Sequence, residues 1–138
     1  MNSTVRRTEM DEWFRKHGVF SWCELLTTNV EEAKVFYTRL FGWDLTAMHM
    51  GTDYTLVKAD DEKIGGIMAM PPEAKGMPPS WGAYVTVDDV DAVAEDAVEL
   101  GGKILVPPKD IPEVGRFCVL QDPQGAVISA ITYKPCGQ

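Results

Sequence analysis

Glu24 is the residue whose position most strongly suggests chemistry. It is the single charged residue in the segment from Phe20 to Leu26 (FSWCELL), whose near-continuous hydrophobicity is typical of a strand buried on both faces. A carboxylate on such a strand costs free energy unless it is paired, hydrogen-bonded or protonated. Three roles remain open for Glu24: a structural ion pair or backbone hydrogen bond, recognition of a ligand, and general acid/base catalysis.

Arg116 is the second candidate, because it follows a glycine near the start of a predicted strand. It could pair with a carboxylate such as Glu24, anchor an anionic ligand, or lie solvated at the surface. The two histidines, His17 and His49, are assigned to surface or packing roles rather than to ligand or catalytic roles. His17 lies in the N-terminal segment, and His49 lies at the end of a predicted strand beside a glycine turn.

The composition excludes several classes of partner. Hydrophobic residues make up 45% of the chain and charged residues 25%, which is typical of a globular protein, and the net charge is −8. Because binding to phosphates needs a basic surface, we expect neither nucleic acid nor anionic membrane as a partner. No apolar run has the length of a signal peptide core or a membrane span, so a cytoplasmic location is expected. Cys23 and Cys118 are predicted to be buried thiols and Cys136 to lie in a frayed terminus.

The first half of the chain predicts a short helix followed by a strand, a helix and three strands. Thr8 and Asp11 have capping-box spacing, which indicates an N-terminal helix that ends near His17. Thr28 with Glu31 caps a second helix, which carries apolar residues at helical spacing. The predicted strands run from Phe20 to Leu26, from Trp43 to His49, from Tyr54 to Ala59 and from Ile64 to Met70.

The second half repeats the order of strand, helix and three strands after the proline-rich linker PPEAKGMPPS. A strand from Trp81 to Val87 leads to a helix that is capped by Asp88 and Asp91. Strands from Lys103 to Val106, Arg116 to Gln121 and Ala126 to Thr132 follow, and the proline-rich segment from Pro107 to Gly115 is predicted to be a connector or a lid. Equivalent residues, such as Val30 and Val90, lie about 60 positions apart.

The predicted fold class is therefore α+β, with two tandem βαβββ modules and a short N-terminal helix. The expected organisation is an extension over residues 1–18 and a domain over residues 19–138, with modules 19–70 and 81–133 joined by a linker at 71–80. Each module has a helix on one face of its sheet only. Two curled mixed sheets can cover each other's remaining face while they enclose a cavity.

The ordered motifs of both halves resemble the vicinal oxygen chelate superfamily, which includes glyoxalases, bleomycin-resistance proteins and extradiol dioxygenases. The motifs are WCEL, TN, FY and LFGW in the first half, and VDDVDA, LGG, VGRF and DPQGA in the second. The resemblance covers the chain from about Phe20 to Thr132. It implies paired βαβββ modules, a small organic ligand and a homodimer.

The resemblance also implies positions for a metal ion, and these positions carry unsuitable residues. Carried over by position, the ligand sites fall on Trp22, approximately Ala69, Gly82 and Ser129. None offers the imidazole or carboxylate that a divalent cation prefers. The chain is therefore predicted to belong to a subgroup without metal ligands, and neither a metal nor another cofactor is expected.

The predicted cavity is apolar and aromatic with a few polar groups, as is typical of small-molecule sites. If Trp22 faces the cavity, alternation along the strand places Glu24 there as well, whereas the side on which Met68 lies depends on a register that the sequence leaves open. The full set of expected ligand-binding residues is Trp22, Glu24, Met68, Tyr84, Arg116, Phe117 and Ser129, with Glu24 as the candidate catalytic residue.

Three functions follow from this pattern. The leading hypothesis is a metal-independent protein that binds a small, partly apolar organic molecule. The second is a glyoxalase-, isomerase- or hydroxylase-like enzyme that uses Glu24 as acid or base. The third is a non-catalytic interaction subunit whose pocket is filled by its own side chains.

Overall fold

The computed structural model describes residues 12–49, 53–74 and 76–134, without the side chain of Glu73. Two compact units are present. The first unit is residues 22–82, and the second unit comprises the described residues before 22 together with those from 83 onward. Cys136 and most of the predicted N-terminal helix lie outside the described residues. The described part of that helix covers residues 12–14 and is followed by turns rather than by further helix up to His17.

The first unit has the predicted order of strand, helix and three strands. Asn29, rather than Thr28, is the N-cap of the helix, since its side chain accepts a hydrogen bond from the backbone N–H of Glu32 at 3.0 Å. Gly42 ends the helix in the left-handed conformation, with φ of 71°. The elements are β1 (Phe20–Thr27), α1 (Val30–Phe41), β2 (Asp44–His49), β3 (Asp53–Ala59) and β4 (Glu62–Ala69), followed by a short 3₁₀ turn (Pro72–Ala74).

The strands of the first unit form a mixed sheet in the order β2-β3-β4-β1. β1 and β4 are parallel, and the other neighbouring pairs are antiparallel. Helix α1 covers one face of this sheet, where Leu25, Val57 and Ile67 form the core. Burying each such side chain contributes about 1.5–3 kcal/mol.

Some aromatic residues on and near α1 pack against this core, and others lie at the surface. Tyr37 and Trp43 pack against the core with ring centroids 5.7 Å apart, and the indole N–H of Trp81 donates a hydrogen bond to the Tyr37 hydroxyl at 3.0 Å. Core packing of helix on sheet is the ordinary role of such aromatic residues, but Phe36 and Phe41 are 57% and 58% exposed.

The second unit repeats the arrangement. Its elements are β5 (Ser80–Thr86), α2 (Val90–Glu99), β6 (Lys103–Ile111), β7 (Gly115–Gln121) and β8 (Val127–Tyr133), with the strands in the order β5-β8-β7-β6. Asp89, not Asp88, caps α2 by accepting from the backbone N–H of Ala92. The core below α2 consists of Val87, Val90, Ala94, Cys118 and Ala130, and unlike the core below α1 it includes buried residues of the helix itself.

Two local expectations need correction. Strand β6 continues to Ile111 through Pro107 and Pro108, which were assigned to a connector or lid. This is possible because β6 lies at the edge of the sheet and its pairing with β7 shifts register twice, so the missing proline N–H groups leave no central ladder bond unmade. Cys118 is a buried free thiol, and burial raises its pKa, but Cys23 is exposed, although alternation along β1 places it on the same face as Leu25.

The described residues ahead of β1 contact the rest of the second unit. The Thr86 hydroxyl donates a hydrogen bond to the carbonyl of Phe14 at 2.7 Å, and the ring of Phe14 lies 4.3 Å from that of Tyr133. The backbone N–H of Asp88 donates to Nδ1 of His17 at 2.9 Å. His17 therefore has a structural role. Within residues 12–49, 53–74 and 76–134, no helix is both long and apolar enough to cross a membrane.

Candidate functional site

The candidate site of the first unit lies on the face of β1 that α1 does not cover. Leu25 belongs to the helix-covered core, so alternation places Trp22, Glu24 and Leu26 on the opposite face. In the parallel pairing of β1 with β4, Glu24 is opposite Gly66 and Leu26 is opposite Met68. Met68 therefore shares the face of Glu24, which the sequence alone left open.

Tyr54 joins Trp22 to Glu24 through two hydrogen bonds. The indole N–H of Trp22 donates to the Tyr54 hydroxyl oxygen at 2.9 Å, and the same hydroxyl donates to Oε2 of Glu24 at 2.8 Å. Tyr54 is 8% exposed, so the chain of donors is partly shielded from water. A hydrogen bond to a carboxylate is stronger than one between neutral groups and fixes the direction in which the carboxylate points. We refer to these three residues as the Trp22–Tyr54–Glu24 relay.

Gly66 provides the space that Tyr54 occupies. A Cβ atom added at Gly66 would lie 1.9 Å from the hydroxyl oxygen of Tyr54 and 2.1 Å from its Cζ atom. The tyrosine ring therefore rests directly on the backbone of β4, and only glycine permits this contact. A glycine inside a strand often marks such a close approach. The adjacent glycines at 65 and 66 were the sequence signal that could have revealed a large side chain over this strand.

Tyr54 was not among the expected site residues. Its contact with Glu24 spans 30 positions in the sequence and depends on the order β3-β4-β1, which places β4 between the two strands that carry the residues. The sequence pattern predicts a strand that begins at Tyr54, but it does not identify the strands that pair with it. The structural partner expected for Glu24 was Arg116 or a backbone group, whereas the donor observed is a phenol.

The second unit groups three more of the expected residues. Tyr84 is paired with Ser129 across the parallel strands β5 and β8, and its ring centroid lies 6.3 Å from that of Phe117. All three lie on the face opposite the core below α2, because their strand neighbours, such as Cys118 and Ala130, belong to that core. The amine of Lys109 lies 5.7 Å from the centre of the Phe117 ring, within the range of a cation–π interaction.

Arg116 does not join either group. Its guanidinium contacts both carboxylate oxygens of Asp91 at 2.9 and 3.0 Å, and it also donates to Asp110 at 3.1 Å. The hydrogen bonds that Arg116 donates to Asp91 and then to Asp110 raise the pKa of Arg116, and the same contact with Arg116 lowers the pKa of Asp91. Of the roles considered for Arg116, the structure gives it that of a carboxylate partner, with its donors directed at α2 and β6 rather than at a ligand.

The residues at the implied metal positions do not fit a divalent cation. Ala69 is opposite Thr27 and so lies on the helix-covered side, which means that the position on the Glu24 face is held by Met68 and not by Ala69. The thioether of Met68, the indole of Trp22 and the small residues Gly82 and Ser129 are poor ligands for a hard or borderline ion. The residues described by the structure contain no group of three or more His, Cys, Asp or Glu side chains able to hold a metal.

Comparison with known proteins identifies the superfamily that the sequence motifs resemble. Residues 19–129 match the family model described as the glyoxalase/bleomycin resistance protein/dioxygenase superfamily. CFP32 of Mycobacterium tuberculosis, provisionally assigned as a glyoxylase, is 42% identical over 120 residues, which are 86% of this chain and 45% of CFP32. The anthracycline biosynthesis protein DnrV of Streptomyces peucetius is 28% identical over 126 residues, 81% of this chain and 46% of DnrV.

A solved structure shares the fold. The crystal structure of methylmalonyl-CoA epimerase from Mycobacterium tuberculosis has a TM-score of 0.61 and 14% identity, and the match covers 87% of this chain and 93% of the epimerase chain. By contrast, the chain spans about half the length of the curated relatives CFP32 and DnrV.

Proposed function

Because the chain belongs to the glyoxalase/bleomycin resistance protein/dioxygenase superfamily, we propose that it binds a small, partly apolar organic molecule without a metal ion. The observation that carries the proposal is the Trp22–Tyr54–Glu24 relay on the uncovered face of the first-unit sheet. A carboxylate oriented by a phenol is a specific acceptor for a donor group of a ligand.

The surroundings of the relay suit an apolar ligand body. Trp22 is half-buried and presents an indole ring, while Met68 and Leu26 add a thioether and an isobutyl group on the same face. Aromatic and methionine side chains adapt well to organic ligands that combine ring or chain surfaces with a few polar atoms. The names of the relatives support the ligand class, since one refers to anthracycline biosynthesis and another to a methylmalonyl-CoA epimerase.

The charge of the chain supports the same choice of partner. A net charge of −8 disfavours nucleic acid and anionic membrane surfaces, because affinity for phosphates depends on basic side chains. For the location we propose the cytoplasm, in keeping with the free thiols of Cys23 and Cys118.

A thermal-shift screen of small organic molecules tests the proposal directly. A ligand that binds the folded state raises the melting temperature according to its affinity and concentration. We expect organic compounds with an apolar body and a hydrogen-bond donor to stabilise the protein equally in the presence of chelator and of added divalent metal. Stabilisation that requires zinc, iron or manganese would contradict a metal-independent site.

Two substitutions then assign binding to the relay. Trp22→Ala and Glu24→Gln should each weaken the binding of a hit by roughly tenfold or more, because each removes one contact worth about 1.4 kcal/mol or more. Trp13→Ala and Glu95→Gln are matched controls, since both side chains are exposed and lie in the second unit. Unchanged affinity in both relay variants, with the folding of each verified by circular dichroism, would rule out this site.

An enzymatic role for Glu24 is the second candidate, favoured by the 2.8 Å hydrogen bond from Tyr54. This bond fixes the carboxylate, as a general acid or base requires, in a position to move a proton at a carbon or oxygen atom of a bound substrate. In that case Glu24→Gln should abolish turnover while binding is retained. Tyr54→Phe should lower kcat by a smaller factor, because it removes the orienting bond and leaves the carboxylate. A turnover rate that is unaffected by Glu24→Gln would exclude this role.

A further inference from the structure

The second unit carries its own set of side chains on the face of the sheet that α2 does not cover. Lys109, Phe117, Ser129 and Tyr84 come from the neighbouring strands β6, β7, β8 and β5. Lys109 is opposite Phe117, and Ser129 is opposite Tyr84, so each pair shares a face. Ser129 lies two positions before Ile131, the partner of Phe117, which joins the two pairs on one face. We call the four residues the Lys109 row.

The middle of the Lys109 row is apolar and aromatic. Tyr84 is 8% exposed, and its ring centroid lies 6.3 Å from that of the half-buried Phe117. Ile131, on the same face, is 4% exposed. At the end of this face Phe14 packs on Tyr133, with the ring centroids 4.3 Å apart. The row is therefore a strip with a ring surface and one covered end, which suits the body of an aromatic ligand.

Lys109 and Ser129 add two polar groups to this strip. Lys109 is exposed, its amine lies 5.7 Å from the centre of the Phe117 ring, and within the described part of the chain it makes no ion pair. Acidic residues outnumber basic ones by 21 to 13, so a lysine that has no carboxylate partner is a local attraction for an anion. The half-buried Ser129 hydroxyl has no hydrogen-bond partner among the described residues.

We propose that the Lys109 row binds an aromatic carboxylate. The carboxylate lies at the Lys109 amine, the ring system lies on Phe117, and a second polar group of the ligand reaches the Ser129 hydroxyl. Because β6 and β8 are two strand spacings of about 4.8 Å apart, a ligand that reaches both side chains is about 10 Å long, which is the size of two fused rings with substituents. The inference goes beyond the proposed function, which rests on residues of the first unit and requires no charge on the ligand.

The contact between Lys109 and Phe117 has a simpler explanation that makes a different prediction. As a cation–π contact within the protein alone, it stabilises the position of the lysine and gives no preference between ligands. As part of a binding site, the amine selects a carboxylate over an uncharged group of the same shape. The preference for charge in matched ligands therefore separates the two explanations.

Calorimetric titration of the full chain with 2-naphthoate and with the uncharged isostere 2-naphthamide measures this preference. We expect 2-naphthoate to bind roughly fivefold more tightly, which is the upper range for an exposed ion pair. The difference should disappear at about 1 M salt, where the Debye length is about 3 Å. Lys109→Gln should abolish the preference and Lys109→Arg should keep it. Lys103→Gln, an exposed lysine on the same strand, is the matched control and should leave it unchanged.

The position of Ser129 is tested with a longer ligand. 6-Hydroxy-2-naphthoate carries a hydroxyl at the end of the ring system opposite to its carboxylate. We expect it to bind roughly threefold more tightly than 2-naphthoate, because it gains a hydrogen bond to Ser129. Ser129→Ala should remove this gain and leave the affinity for 2-naphthoate unchanged. Ser80→Ala, which changes an exposed serine of β5, should have no effect on either affinity.

The outcomes are distinguishable. A preference for 2-naphthoate that is lost in Lys109→Gln and kept in Lys103→Gln supports the proposal. Equal affinity of the wild type for both compounds, or no measurable binding of either at millimolar concentration, overturns it. A preference that persists in Lys109→Gln also overturns it, because the carboxylate then lies elsewhere. The proposed function is tested separately, by whether Trp22→Ala and Glu24→Gln lose the binding of an uncharged hit.

Discussion

The two units of the chain have the same order of elements. They differ in how deeply their helices are buried and in where their polar contacts lie. In the second unit, α2 buries Val90 and Ala94, and Arg116 joins it to β7 through Asp91. In the first unit, α1 has no fully buried residue, and the Trp22–Tyr54–Glu24 relay lies on the opposite face of the sheet. The comparison indicates that the contact between Arg116 and Asp91 joins the helix of the second unit to its sheet. The relay of the first unit lies instead on the face proposed for the ligand, and part of the α1 surface is exposed.

Gly66→Ala should have the largest effect, because the added Cβ would lie 1.9 Å from the hydroxyl of a buried tyrosine. Either Tyr54 is displaced and the relay is broken, or the strand shifts, and we expect the free energy of unfolding to fall by about 2–3 kcal/mol. Urea denaturation measures this loss. Gly82→Ala is the matched control at another strand glycine, since the nearest heavy atom to its Cβ would be 4.0 Å away. Equal stability of the two variants would show that Tyr54 does not rest on Gly66.

The order of the elements could be predicted from the sequence because it depends on local signals. Hydrophobic periodicity, capping residues and turn glycines define β1, α1 and their repeats within a few positions, and the 60-residue offset relates Val30 to Val90. The helix caps were displaced by one residue, to Asn29 and Asp89, because neighbouring Thr, Asn and Asp residues are all acceptable N-caps.

The candidate site was less accessible to sequence analysis, because its geometry depends on strand register. Trp22 and Glu24 could be placed on one face by alternation along a single strand, but the face of Met68 required the pairing of β1 with β4. Tyr54 was missed because its partners lie on another strand. For Arg116 the roles of carboxylate partner, ligand anchor and surface residue stayed open, because a local pattern does not reveal that Asp91, 25 positions away, accepts its hydrogen bonds.

The helices themselves offer a second comparison, at residues related by the 60-position offset. Val90→Ala should lower the free energy of unfolding by about 2 kcal/mol, since Val90 is 2% exposed and its loss leaves a cavity. Val30→Ala should cost about 1 kcal/mol, because Val30 is only partly buried and its neighbours can relax toward solvent. Chemical denaturation of both variants under the same conditions measures the difference. A larger loss for Val30 would contradict the assignment of the tighter helix packing to the second unit.

Asp91→Asn should lower the free energy of unfolding less than the substitutions above, and its effect should depend on pH. Arg116 lowers the pKa of Asp91 in the folded state, so the folded protein holds fewer protons on this group than the unfolded chain does. The stabilisation is therefore complete above the ordinary aspartate value of 3.8 and is lost as the pH falls through the lower pKa of the folded state. Urea midpoints measured between neutral and strongly acidic pH should show the variant below the wild type at neutral pH and the two curves converging in acid.

The equivalent residue of the first unit makes this last test specific. Glu31, 60 positions before Asp91, pairs with Lys34 on its own helix at 3.0 Å and does not connect α1 to a strand. Since an exposed pair within one helix contributes only about 0.3–0.5 kcal/mol, Glu31→Gln should leave the midpoint nearly unchanged at neutral pH. If Glu31→Gln were as destabilising as Asp91→Asn, the contact between Arg116 and Asp91 would contribute no more to stability than a pair within one helix. In that case α2 would owe its closer attachment to the burial of Val90 and Ala94 alone.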